Sequence, residues 1–207
     1  MKDEPGDNDA QAARWREKMA RRKAVQDAEV AGKTIEKGLL LVHTGAGKGK
    51  TTAAMGLALR MLGRDRPVAI IQFIKGAWST GERTALTRFS DLLTWHSMGE
   101  GFTWETQDRT RDIAACRRAW EAALAQMARP DLALLVLDEL CIALRYDYLS
   151  VDEVLSALAA RRPDLHVVVT GRNAPAALLE AADLVTEMQA TKHPFKAGVK
   201  AQEGIEF

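Results

Sequence analysis

Gly49, Lys50 and Thr51 stand in that order at the end of the run Leu39-Leu40-Leu41-Val42-His43-Thr44-Gly45-Ala46-Gly47-Lys48-Gly49-Lys50-Thr51-Thr52. A short apolar run, a Gly/Lys-rich turn and a helical pattern in succession make the strand, loop and helix start of a phosphate-binding loop. Glycines let backbone N–H groups converge on an anion without Cβ clashes. The helix that follows presents unbonded N–H groups and a positive dipole end to the same anion. Lys50 is expected to reach the phosphates, and the Thr51 hydroxyl to hold Mg²⁺ or Mn²⁺. The loop departs from the usual pattern at one point. The position six before Lys50 is Thr44 rather than Gly, the first glycine is Gly45, and an extra cation, Lys48, lies inside the turn.

A second chemical pair lies far along the chain, where the apolar run Leu132–Leu137 ends in Asp138-Glu139. Two acids at the end of a buried strand need a cation or water. This is the Walker B arrangement, expected on a strand beside the first that brings a carboxylate to the metal. Phe102 and Trp104, in a Gly-rich loop, either fold back into the core or line a pocket for a flat apolar ligand. Gln72, Lys75, Glu82, Arg83 and Arg172 fall at or after strand ends, where ligands bind in open parallel sheets, and are further candidates beside ordinary loop polarity.

The elements that must position these groups follow from periodicity. Buried strands are expected over Leu39–His43 and Leu132–Leu137, and further strands over Val68–Ile74, His166–Thr170 and Leu184–Met188, with a short one at Leu92–Ser97. Helices are expected over about 50–62, 106–128, 151–160 and 174–182. Ile113, Cys116, Trp120, Leu124 and Met127 form the core stripe of the second, and Ser150 with Glu153 the capping box of the third. Residues 75–83 read as a loop and 141–149 as a connector. The alternation implies an α/β fold, P-loop NTPase-like (RecA-like): a mostly parallel sheet with helices on both faces, plus an N-terminal helix. That helix covers Ala10–Ala31, after a polar stretch, 1–9, expected to be disordered. Its cluster Arg21-Arg22-Lys23 is either a solvated face or a contact for an anionic ligand or partner. The division expected is 1–37, a basic helical extension, and 38–207, the α/β domain.

The chain has 207 residues, 47% hydrophobic, with a net charge of +1. That charge favours neither nucleic acid nor an acidic membrane, and no nucleic-acid-binding motif is evident. No apolar run reaches the roughly 18 residues of a membrane span. Cys116 and Cys141 lie in apolar segments and read as buried, reduced thiols of a bacterial-type cytoplasmic protein. No Cys/His spacing suggests zinc.

Taken together, Thr44–Ala54 (TGAGKGKTTAA), Val68–Glu82 (VAIIQFIKGAWSTGE), Gly101–Gln107 (GFTWETQ), Val136–Leu140 with Tyr146–Leu149, Val169–Arg172 (VTGR) and Lys192–Phe207 resemble the P-loop ATP:corrinoid adenosyltransferases. The resemblance runs from about residue 10. It implies transfer of the 5′-deoxyadenosyl group of ATP to the Co(I) of a corrinoid, releasing tripolyphosphate, in coenzyme B12 biosynthesis or salvage. By position, Thr44, Gly45, Ala46, Gly47, Lys48, Gly49, Lys50, Thr51 and Thr52 would hold the ATP phosphates. Thr51 and Glu139 would contact Mg²⁺, with Asp138 acting from behind. Phe102 and Trp104 would pack under the corrin ring and displace its lower axial ligand, and with Lys50 would be the catalytic residues. The N-terminal helix would cap the site. A homodimer, and an electron donor such as reduced flavin or flavodoxin, are implied as well. A RecA-like ATPase using Glu139 to activate water, and a nucleotide-dependent module gripping nucleic acid through its basic helix, are the competing readings.

Overall fold

The computed structural model describes residues 5–74, 80–97 and 108–205, and side chains from residue 8 onward. Two compact units are present, 1–36 and 37–207. The first is one helix, α1 (Pro5–Ala31). It begins five residues before the expected Ala10, within the stretch expected to be disordered. Proline's fixed φ suits a first helical turn, where its missing N–H is no loss. Trp15 is exposed. In the basic cluster, Arg21 pairs with Glu17 at 2.6 Å and Lys23 pairs with Asp27, both one turn away. Those two cations therefore lace their own helix, worth a few tenths of a kcal/mol each.

The second unit alternates strands and helices: β1 (Leu40–Thr44), α2 (Lys50–Leu62), β2 (Val68–Gln72), α3 (Gly81–Leu86), β3 (Leu93–Ser97), α4 (Arg109–Met127), β4 (Leu134–Asp138), α5 (Leu140–Arg145), α6 (Val151–Ala159), β5 (His166–Thr170), α7 (Ala176–Ala181) and β6 (Leu184–Glu187). The strands form one sheet in the order β3-β2-β4-β5-β1-β6, and every pairing is parallel. All five residues of β2 and of β4 are buried, as strands covered on both faces must be. On one face Leu135, Leu137, Val167 and Val169 pack with Trp120 and Cys116 of α4, Leu144 of α5, Leu158 of α6 and Leu178 of α7. On the other, Ile70, Val136 and Val168 pack with Ala54, Ala58 and Leu62 of α2. Among the described residues no helix is long and apolar enough to cross a membrane.

The sheet order corrects one expectation. The strand ending in Asp138 does not lie beside β1, because β5 stands between them. Strands β1, β4 and β5 are all apolar, so local pattern cannot rank them. The middle place goes to β5, whose Val167, Val168 and Val169 are wholly buried.

Local corrections have equally simple causes. The segment read as a connector forms α5, because Leu140, Cys141, Ala143 and Leu144 recur at helical spacing and all are buried. Glu82 and Arg83 lie on α3 rather than in a loop. Leu124 is 40% exposed, and the small Ala119 and Ala123 take the inward face of α4 instead. Ser150 caps α6, its Oγ accepting the Glu153 N–H at 3.5 Å. The reciprocal half of the capping box is replaced, since the Glu153 carboxylate binds Arg117 of α4 at 2.6 and 2.8 Å.

Candidate functional site: a phosphate loop backed by a buried acid

Thr44 is the last residue of β1, paired with Glu187 of β6, and its Oγ1 accepts the Ala174 N–H at 3.2 Å. The turn proper starts one residue later, which explains why glycine is needed at 45 and not at 44. Gly45 has φ +95°, and a Cβ there would lie 2.5 Å from the Met188 carbonyl oxygen. A Cβ on Gly47 would meet the same oxygen at 2.7 Å. The close approach is a bonded one: Gly47 N–H donates to Met188 O at 2.6 Å, and Met188 N–H donates to Thr44 O at 2.9 Å. The segment leaving β6 thus pins the loop from outside.

Gly49, at φ +106°, turns the chain into α2 and offers no side-chain cap. The helix ladder begins with Ala53 N–H donating to Gly49 O at 2.8 Å. The N–H groups of Lys50, Thr51 and Thr52 have no carbonyl a turn earlier in the helix, which is what makes such a terminus receptive to anions. Lys50 is buried and folds back over the loop, its Nζ donating to Gly45 O at 2.9 Å and Gly47 O at 2.6 Å. Burial lowers its pKa, with Glu139 opposing the shift and Arg172 adding to it. Ala46, Lys48 and Thr52 face solvent.

Asp138 sits behind the loop with both carboxylate oxygens engaged. Oδ1 accepts from Thr51 Oγ1 at 2.9 Å and from Thr170 Oγ1 at 2.8 Å. Oδ2 accepts from Gln72 Nε2 at 3.1 Å, and Gln72 Oε1 accepts from the Trp95 indole at 3.1 Å. Burial raises the Asp138 pKa against the pull of those three donors. Glu139 follows in a left-handed conformation, φ 60°, and its N–H donates to Thr170 Oγ1 at 2.9 Å. A non-glycine residue held there costs about 1–3 kcal/mol and tends to mark a functional position. Glu139 Oε2 is buried with no hydrogen-bond partner among the described residues. Burial first, then Asp138, push the Glu139 pKa up to about 7, against Lys50 and Arg172.

The donor set suits a small hard cation. Thr51 and Glu139 offer oxygen atoms, and Glu139 has one oxygen unspent. The described residues hold no cluster of three or more His, Cys, Asp or Glu that could cage a metal. Mg²⁺ needs none, because it keeps waters and takes substrate phosphate oxygens beside one or two protein ligands.

Of the other expected site residues, Arg172 is exposed just past β5, its charge felt by both Lys50 and Glu139. The Arg83 guanidinium lies 6.0 Å from the centre of the Trp95 ring. Phe102 and Trp104, with Lys75, lie outside the described residues. Thr170 and Trp95 were not foreseen. Thr170 carries the same signal as Asp138, a polar residue closing an apolar strand, whereas Trp95 looks like any strand aromatic.

Fold and site together define a P-loop nucleotide-binding α/β protein. Residues 36–207 match the family model described as ATP:corrinoid adenosyltransferase BtuR/CobO/CobP, and residues 1–30 match one described as cob(I)alamin adenosyltransferase N terminal. A corrinoid adenosyltransferase of Pseudomonas aeruginosa is 55% identical over 194 residues, covering 94% of this chain and 96% of that protein. One from Sinorhizobium is 51% identical, covering 94% and 92%, and one from Escherichia coli K12 is 44% identical, covering 94% and 98%. The chain belongs to the ATP:corrinoid adenosyltransferase family, transferases of cobalamin biosynthesis that take ATP and a corrinoid as substrates.

Proposed function

We propose that this chain moves the 5′-deoxyadenosyl group of ATP to a Co(I) corrinoid, and that its phosphate loop grips the leaving group. The observation that carries this is the loop 45–51, shaped by three glycines with Lys50 folded back over it, on a chain of this family. Cobalt supplies both electrons of the new Co–C5′ bond and passes from Co(I) to Co(III). The C5′–O5′ bond breaks, and its electron pair departs with tripolyphosphate. No bond between phosphates is cut. The residues of the loop need only collect the charge that grows on the leaving oxygens, as preorganised donors do.

In this reading Lys50 and the N–H groups of residues 45–52 bind phosphate oxygens, except that of Gly47, which donates to Met188 O and fixes the loop instead. Thr51 Oγ1 and Glu139 Oε2 would hold Mg²⁺, which neutralises phosphate charge when bound. Asp138, its oxygens taken up by Thr51, Thr170 and Gln72, orients the Thr51 hydroxyl instead of ligating. Phe102 and Trp104 cover the lower corrin face and exclude water and the axial base from cobalt. The segment 1–37, whose residues 1–30 match a family model of their own, would serve as a cap on bound substrates. We further propose that the enzyme works as a homodimer in the cytoplasm, where buried thiols stay reduced. A reduced flavin or flavodoxin would supply the electrons that bring cobalt to Co(I).

The test is to mix the protein with ATP, Mg²⁺ and a chemically reduced corrinoid. A light-sensitive Co–C product and tripolyphosphate are expected in equal amounts. ADP and phosphate without adenosylated corrin would overturn the reading in favour of an ATPase that uses Glu139 to activate water.

A further inference from the structure

At its C-terminal end the sheet carries a polar row with one residue from each strand. Ser97 stands opposite Gln72, Gln72 opposite Asp138, and His43 opposite both Thr170 and Thr186. Asp138 and Thr170 are joined by a hydrogen bond. Residues paired directly across parallel strands share a face, and the residues two earlier on β2, β4 and β5 (Ile70, Val136 and Val168) pack with α2. The row therefore lies under the helix that starts at Lys50.

We propose that Gln72 is a positioning residue for the metal-nucleotide site, acting through Asp138 on Thr51. This rests on the reading that Thr51 helps hold Mg²⁺. An indole N–H can only donate, so the Trp95 contact fixes which end of the Gln72 amide is the oxygen. The NH₂ end is thereby left for Asp138 Oδ2, where it is found at 3.1 Å. With Oδ2 held by Gln72, the carboxylate cannot turn about its terminal torsion, and Oδ1 stays where Thr51 and Thr170 both donate to it. The Thr51 proton is thus committed to Asp138, and the Thr51 oxygen keeps its lone pairs for a cation. Gln72 is buried, so water does not compete for either end of its amide.

The test measures ATP affinity by calorimetry with and without Mg²⁺, for the wild type, Q72M, W95F and D138N. In Q72M, which keeps the length and loses the amide, the Mg²⁺-dependent gain in affinity is expected to fall about tenfold, the scale of one buried bond to a charged group. Affinity for metal-free ATP should stay within about twofold, which a merely structural role would not achieve. W95F should shift the metal-dependent gain the same way by a smaller factor, and it serves as the test should Q72M fail to fold. In a D138N background, Q72M should add less than about twofold, because both changes act through one carboxylate. Equal losses with and without Mg²⁺, or no loss in either, would overturn the proposal while leaving the reading of Thr51 intact. A wild type that binds ATP equally with and without Mg²⁺ would overturn that reading and this proposal with it.

Discussion

Thr51 and Asp138, 87 residues apart in sequence, meet at 2.9 Å across the end of a strand that belongs to neither of them. The hydroxyl donates and the carboxylate accepts, so the contact is lost in T51V and kept in T51S. T51V is expected to weaken Mg²⁺-ATP binding by about tenfold or more, with T51S within about threefold of the wild type. Titration of ATP at fixed Mg²⁺ checks this. Equal loss in the two variants would mean that packing, not the hydroxyl, matters.

The glycines of the loop and of its helix should respond in opposite directions. G47A places a Cβ 2.7 Å from the Met188 carbonyl, against backbone that cannot swing aside. We expect ATP affinity to fall about tenfold or more as the loop is pushed from Met188, the scale of a lost bond to a charged group. Gly56 lies inside α2 with open space where its Cβ would be. G56A should stabilise the fold by about 0.5–1 kcal/mol, raising the melting midpoint by about 1–4 °C. A lowered midpoint for G56A would count against the helix packing described.

Asp183 anchors the start of β1. It accepts the Leu40 N–H at 2.9 Å and pairs with Lys37. Those two donors hold its carboxyl below the usual carboxylate range. A depressed native pKa adds stability above the unfolded value near 3.9, and that stability is lost as pH falls through the native value. The difference between wild type and D183N should be about 1 kcal/mol and flat from about pH 5 to 8. It should shrink below about pH 4 and close in stronger acid. Urea melts across this range provide the measurement, and a gap persisting in strong acid would rule the explanation out.

Phe102 and Trp104 are expected to matter for reducing cobalt more than for alkylating it. Replacing both by Ala should abolish activity from Co(II) with a weak reductant. Activity from chemically pre-reduced Co(I) should survive within about tenfold, about 1.4 kcal/mol of barrier. Parallel assays with the two cobalt states decide it, and equal losses would make the pair ordinary packing.

What could be read from the sequence was what lies close together along the chain. The phosphate loop is continuous, so its glycines, Lys50 and Thr51 declare themselves by spacing alone. Strands of five apolar residues bounded by turn residues were equally plain. The sheet order was not, because β1, β4 and β5 are interchangeable by composition, and only their packing puts β5 in the middle. The polar row stayed hidden for a related reason. Each strand contributes one residue to it, and Gln72, Thr170 and Trp95 become neighbours of Asp138 only through register and side-chain reach. Helix α5 was masked by its brevity, and Leu124 by a stripe whose inward places belong to alanines.

The Met188 carbonyl that pins Gly47 has a consequence for how the protein is made. Among the described residues strand β1 pairs with β5 and β6 alone, both of which leave the ribosome more than a hundred residues later. Through most of translation its apolar residues and both its backbone edges await partners, a state open to aggregation and to chaperones. The nucleotide loop is synthesised before the acids that stand behind it and is finished after them. Nascent chains halted before residue 184 should not retain ATP, however complete their own loop sequence is.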